Sequence, residues 1–156
     1  AKEKGMKIFF NPGKGELAHK DKLKALLKDV DVLSVNKEEM QQIVHGETSD
    51  ELVRHGLALV DALIVSDGPR GVTASDGKTI VQAGMYKDVK VLDRTGAGDA
   101  FGSGFLSQWA TGSSLKDAII YGSANSTSVV THIGAKKGIL HHGVQLHSMP
   151  IKETNV

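Results

Sequence analysis

Short apolar runs that alternate with amphipathic stretches constrain this chain more than any other feature. Residues 6–10, 31–35 and 61–66 have the length and apolar character of buried strands rather than helices. The first is closed by Asn11-Pro12-Gly13, a turn signal. Between the runs lie helical patterns. Residues 17–28 carry Leu23, Leu26 and Leu27 on one face. Asn36-Lys37-Glu38-Glu39 opens the next helix with a capping-box pattern, and Thr48-Ser49-Asp50-Glu51 opens another, with Leu52, Val53, Leu57 and Val60 as its apolar face.

After the third run, Asp67-Gly68-Pro69-Arg70-Gly71 breaks the pattern. Residues 72–75 and 79–83 then read as a hairpin turned at Asp76-Gly77, and residues 89–92 as a last short strand. A helix is expected from Gly98 to about Ala110, because Phe101, Phe105, Leu106 and Trp109 recur at helical spacing. On its other side Gly102, Ser103 and Gly104 allow a second backbone to come close. A final helix opens at Ser114-Leu115-Lys116-Asp117, presents Leu115, Ala118, Ile119, Val129, Val130 and Ile133, and stops at Gly134. The pattern predicts an α/β fold: a mostly parallel sheet with helices on both faces plus a β-hairpin, in one domain over residues 1–156. In such sheets ligands gather beyond the carboxyl ends of the strands, where the glycine-rich turns fall.

Composition narrows the partners. Nineteen basic against 18 acidic side chains leave a formal charge of +1, so no global field holds nucleic acid or an anionic membrane. The chain has no cysteine, which excludes disulfides and thiolate metal sites and fits a reducing cytoplasm. No apolar run approaches the roughly 18 residues of a membrane span. The charged start, Ala1-Lys2-Glu3-Lys4-Gly5, runs directly into a strand and reads as the end of a helix that begins earlier, so a fragment is expected.

The segment Val91-Leu92-Asp93-Arg94-Thr95-Gly96-Ala97-Gly98-Asp99-Ala100-Phe101 reads as a strand, a small-residue turn and a helix start. Gly96, Ala97 and Gly98 let main-chain N–H groups converge where the positive end of the helix dipole points, which makes an anion hole. Asp99 then has two readings. It is a general base that takes a proton from an attacking hydroxyl, or a first-turn acid that stabilises its own helix by about 0.3–1 kcal/mol.

Residues 93–101 resemble the carboxy-terminal signature of the ribokinase-like (PfkB family) carbohydrate kinases, with Arg94 where the family usually has a smaller residue. The resemblance covers nearly the whole chain, from Met6 to about Leu146, and corresponds to the nucleotide-binding carboxy-terminal half of the family fold. It implies ATP-dependent phosphorylation of a hydroxyl on a sugar or nucleoside-like substrate. Asp99 is then the base, and the amides of Gly96, Ala97 and Gly98 stabilise the transferred phosphoryl group. Asn36 and Glu39 match the family's Asn-x-x-Glu motif, which helps place Mg²⁺ and phosphate through water, although a capping box alone explains the same residues. Ser66, Gly68 and Gly71 match the nucleotide loop, or else simply form a turn. The resemblance puts Asn125 beside the adenine; the alternative is a hydrogen-bonded amide on a helix face. It also implies a K⁺ site from Asp93, Thr95 and the carbonyls of Val129, His132 and Gly134. Asp93 could instead cap the turn before the signature.

His141, His142 and His147 fit no metal-binding spacing and read as a solvated loop. Gly13-Lys14-Gly15 lacks the residues of a P-loop. A cytoplasmic enzyme is expected, and the resemblance implies that the intact protein can form a homodimer. The rival readings are a noncatalytic nucleotide-binding module descended from such kinases, and a dinucleotide-binding domain. The second is disfavoured because the glycine turn comes late and no acidic residue follows about 20 positions downstream on a following strand.

Overall fold

Continuously apolar runs set the sheet. The computed structural model describes residues 2–86, 89–141, 143–146 and 148–156. Its strands form one open, mixed sheet in sequence order: β1 (Phe9–Phe10), β2 (Val32–Asn36), β3 (Ala62–Ser66), β4 (Val72–Ser75), β5 (Thr79–Ala83) and β6 (Ile151–Asn155). β1, β2 and β3 are parallel, and β4 runs antiparallel to β3. Leu33 pairs with Leu63 and Val35 with Val65, which points these side chains to one face. There they are buried with Leu23 and Leu27 of α2 (Lys20–Leu27), Met40 and Ile43 of α3 (Lys37–Ile43), and Leu52 and Val53 of α4 (Ser49–Gly56). Val32 and Ile64, on the opposite face, are buried as well. That two-sided burial explains why the runs are continuously apolar.

The chain divides into two compact units, Ala1–Gln82 with Lys152–Val156, and Ala83–Ile151. The first contains most of the sheet. The second is built on α5 (Ala97–Trp109) and α6 (Leu115–Val130), with Phe101, Phe105 and Trp109 stacked in sequence at centroid distances of 6.5 and 6.2 Å. The helices cross almost backbone to backbone. A Cβ on Gly104 would lie 3.1 Å from the Gly122 Cα, and one on Gly122 would lie 2.9 Å from the Phe101 carbonyl oxygen.

The structure departs from the expected elements in five places. The expected helix over residues 17–28 is split into α1 (Lys14–Leu17) and α2, and only Phe9 and Phe10 of the first run pair as a strand. Residues 89–92 are not a strand. The Leu92 N–H bonds the Val130 carbonyl at 2.8 Å, so the end of α6 replaces a neighbouring strand as its partner. α6 stops at Val130, short of Gly134. β6 was not expected, because Ile-Lys-Glu-Thr-Asn carries no buried alternation: all but Ile151 are exposed.

Candidate functional site

The predicted residues fall into two groups, one on each unit. On the first unit, Asn36 ends β2 and stands in register with Ser66 at the end of β3, so the two lie side by side at the carboxyl ends of parallel strands. Asn36 caps α3. Its Oδ1 accepts the Glu39 N–H at 2.8 Å, and the Glu39 Oε2 accepts the Asn36 N–H at 2.8 Å. This reciprocal box uses one carboxylate oxygen of Glu39 and leaves the other for solvent or a hydrated metal.

Ser66 leads into a tight turn in which Gly68 and Gly71 have positive φ, 52° and 92°. Asp67 closes this turn. Its N–H bonds the Gly71 carbonyl at 2.8 Å, and its carboxylate holds the Arg70 guanidinium by two bonds, 2.6 and 2.7 Å long. That guanidinium keeps the Asp67 carboxyl below the usual carboxylate range. Sequence reasoning did not find the pair, since its i,i+3 spacing gains meaning only once the loop winds into a 3₁₀ turn.

On the second unit, Gly96 is the N-cap of α5 in the left-handed conformation, φ 78°. A Cβ there would also lie 2.6 Å from the Ala135 carbonyl oxygen, so glycine is needed for both conformation and space. The Ala97 N–H is bonded to the Arg94 carbonyl at 3.2 Å; of the three amides expected in the anion hole, this one already has a partner within the turn. A Cβ on Gly98 would meet nothing within 4 Å.

Asp99 is exposed at the third residue of α5. At the same position Glu16, Glu39 and Glu51 each accept the N-cap N–H of their own helix, at 2.9, 2.8 and 3.1 Å. The shorter Asp99 makes no such bond, and no other side chain caps α5 among the described residues.

Asp93 joins the two ends of the signature region. Its Oδ1 accepts the Thr95 N–H at 2.9 Å and its Oδ2 the Gly134 N–H at 3.0 Å. The bonds from Thr95, then from Gly134, hold its carboxyl below the usual range. The Val129 carbonyl accepts the His132 N–H, and the Gly134 carbonyl accepts the Lys137 N–H.

Asn125 is 2% exposed, and both ends of its amide are engaged. Nδ2 donates to the Ala100 carbonyl of α5 at 2.7 Å, and Oδ1 accepts the Leu140 N–H at 2.8 Å. Among the described residues no cluster of three His, Asp or Glu side chains could hold a metal, and no helix is long and apolar enough to cross a membrane. His141 is exposed; His142 and His147 lie outside the described residues.

A family model described as pfkB family carbohydrate kinase matches residues 1–141. A nucleoside kinase of Methanocaldococcus jannaschii is 30% identical over 85% of this chain and 43% of its own length. A ribokinase of Haemophilus influenzae is 29% identical over 89% of this chain and 46% of its own. Among solved structures, an E. coli protein described as a ribokinase II, in complex with ATP and Mg²⁺, superposes with a TM-score of 0.78 at 26% identity, covering 89% of this chain and 47% of that one. The chain thus spans about half the length of the curated relatives it matches.

Proposed function

Because the chain belongs to the pfkB family of carbohydrate kinases, we propose that it carries the nucleotide and phosphoryl-transfer residues of an enzyme that phosphorylates a sugar or nucleoside-like alcohol with ATP. The observation that carries this reading is Asp99. Its carboxylate is exposed and does not cap its own helix, unlike the acids at the same position in α1, α3 and α4. Without that bond its oxygens remain available to take a proton.

In this reading Asp99 takes the proton of the acceptor hydroxyl as its oxygen bonds the γ-phosphorus. The bond from that phosphorus to the β,γ-bridging oxygen breaks, and ADP leaves with the electron pair. The N–H groups of Gly96 and Gly98 and the start of α5 face the charge that builds on the transferred group, with Ala97 held in the turn that aims them. Ser66, Gly68 and Gly71 serve the nucleotide loop.

Mg²⁺ bound with the nucleotide would offset phosphate charge. Glu39, with one oxygen tied to the cap and one free, suits contact with it through water, beside Asn36. Asp93, Thr95 and the carbonyls of Val129, His132 and Gly134 would hold K⁺. The Asp93 bonds to Thr95 and Gly134 support this by bringing those segments to one carboxylate. A cytoplasmic setting accords with the composition.

The test is Asp99→Asn in the full-length enzyme. Turnover should fall by about 10²- to 10⁴-fold with ATP affinity unchanged. A near-normal kcat removes Asp99 as the base and favours a noncatalytic nucleotide-binding module.

A further inference from the structure

The loop after β3 holds an acid where the proposed ligand is itself an anion. Asp67 stands between Ser66 and Gly68, in the turn whose glycines, Gly68 and Gly71, have positive φ. A bare carboxylate there would repel the phosphates that the kinase reading brings to this loop.

The fold covers that charge with basic groups. Both Asp67 oxygens accept from Arg70, Oδ1 from Nη2 at 2.6 Å and Oδ2 from Nε at 2.7 Å. The Asp67 side chain is tucked against the loop at 16% exposure, whereas that of Arg70 is 75% exposed. Lys37, the first residue of α3 and the neighbour of Asn36, lies close enough for its charge to act on the same carboxylate. One acid and two bases therefore meet where β2 and β3 end, with a local charge of +1.

The side-chain pair is not needed to close the turn. Main-chain bonds do that: the Asp67 N–H to the Gly71 carbonyl at 2.8 Å, the Arg70 N–H to the Asp67 carbonyl at 3.0 Å, and the Gly71 N–H to the Gly68 carbonyl at 3.1 Å. An exposed ion pair adds little to stability. Nor is Arg70 free to grip a phosphate itself. Turning to one would strip both bonds from Asp67 and leave its charge uncovered beside the ligand.

We propose that Arg70 is a positioning residue that acts through Asp67, cancelling its carboxylate so that the loop of Ser66, Gly68 and Gly71 admits the phosphate chain of a nucleoside triphosphate. Arg70 touches Asp67 and not the phosphates. The proposal rests on the kinase reading for its ligand. Removing the Arg70 charge brings the local charge to zero, removing that of Asp67 raises it, and removing both restores the original value. Affinity for MgATP follows the same order.

Titration of the full-length enzyme with MgATP, MgADP and adenosine at low ionic strength tests it, with kcat and Tm measured on the same proteins. Arg70→Ala should weaken MgATP by about 5- to 30-fold and MgADP by less, and leave adenosine, kcat and Tm unchanged. Asp67→Asn should bind MgATP at least as tightly as wild type. The double variant Asp67→Asn/Arg70→Ala should return to within about 3-fold of wild type. At about 1 M salt, where the screening length is about 3 Å, the Arg70→Ala loss should shrink. A loss that Asp67→Asn does not relieve overturns the proposal: Arg70 then binds phosphate directly, or only props the loop if Tm and adenosine affinity fall with it. Unchanged MgATP affinity in Arg70→Ala overturns it too. Both outcomes leave the kinase reading standing, because wild type still binds and uses ATP. A wild type that neither binds MgATP nor transfers its phosphate ends both.

Discussion

At the turn before α5, neighbouring glycines answer to different constraints. Gly96 is fixed by the fold, through a left-handed φ and the Ala135 carbonyl oxygen only 2.6 Å from where a Cβ would sit. Gly96→Ala should therefore destabilise the protein by at least the cost of a strained backbone, about 1–3 kcal/mol, visible as a lowered Tm. Gly98 faces open space. Gly98→Ala should leave Tm within about 1 °C, or raise it slightly, since alanine is the better helix former. If Gly98 is glycine because phosphate approaches the backbone there, that variant loses ATP affinity without losing stability. Unchanged affinity would detach Gly98 from the anion hole.

Among the elements, the α5–α6 pair carries the geometry of the candidate site. Gly104 and Gly122 bring the backbones together, and Asn125 bonds the first turn of α5, at the carbonyl next to Asp99, to Leu140 beyond α6. Asn125→Ala removes both bonds and leaves the part-buried Leu140 N–H in need of a partner. The expected cost is about 1–3 kcal/mol, with kcat reduced more than nucleotide affinity, because the turn bearing Asp99 loosens. Denaturant unfolding and steady-state kinetics on the same variant check both parts. The spacing of Phe101, Phe105 and Trp109 made this helix legible, and the run of small residues foretold a close crossing. Asn125 as a brace was not legible: its partners lie 25 and 15 residues away, one of them in a loop without periodic pattern.

For the molecule as a whole, acid is the informative perturbation. Glu51, Asp67, Asp76 and Asp93 are all held below the usual carboxylate range by hydrogen bonds of the folded state. A carboxyl with a lowered folded pKa adds stability that is complete above its unfolded value, near 4, and is lost as pH falls through the lowered one. Stability should therefore be nearly flat above about pH 5 and decline below about pH 4. Asp93→Asn should be less stable at neutral pH and show a shallower decline; identical pH profiles would show that the Thr95 and Gly134 bonds contribute nothing to folding.

What the residues determined by themselves was local and periodic: the buried strands, the capping boxes at Asn36 and Thr48, the hairpin, and the glycine turn ahead of Asp99. Each depends on neighbours a few positions away, so it is written in the order of the chain. The tertiary structure decided everything that depends on distant partners. Residues 89–92 leave the sheet because the end of α6 takes up the Leu92 N–H, and the polar residues before the carboxyl terminus become a strand because β5 offers an edge. Tyr86 is the strongest case. A single tyrosine in a loop has no sequence signal, and its hydroxyl acquires meaning only where folding removes it from water without giving it a partner among the described residues.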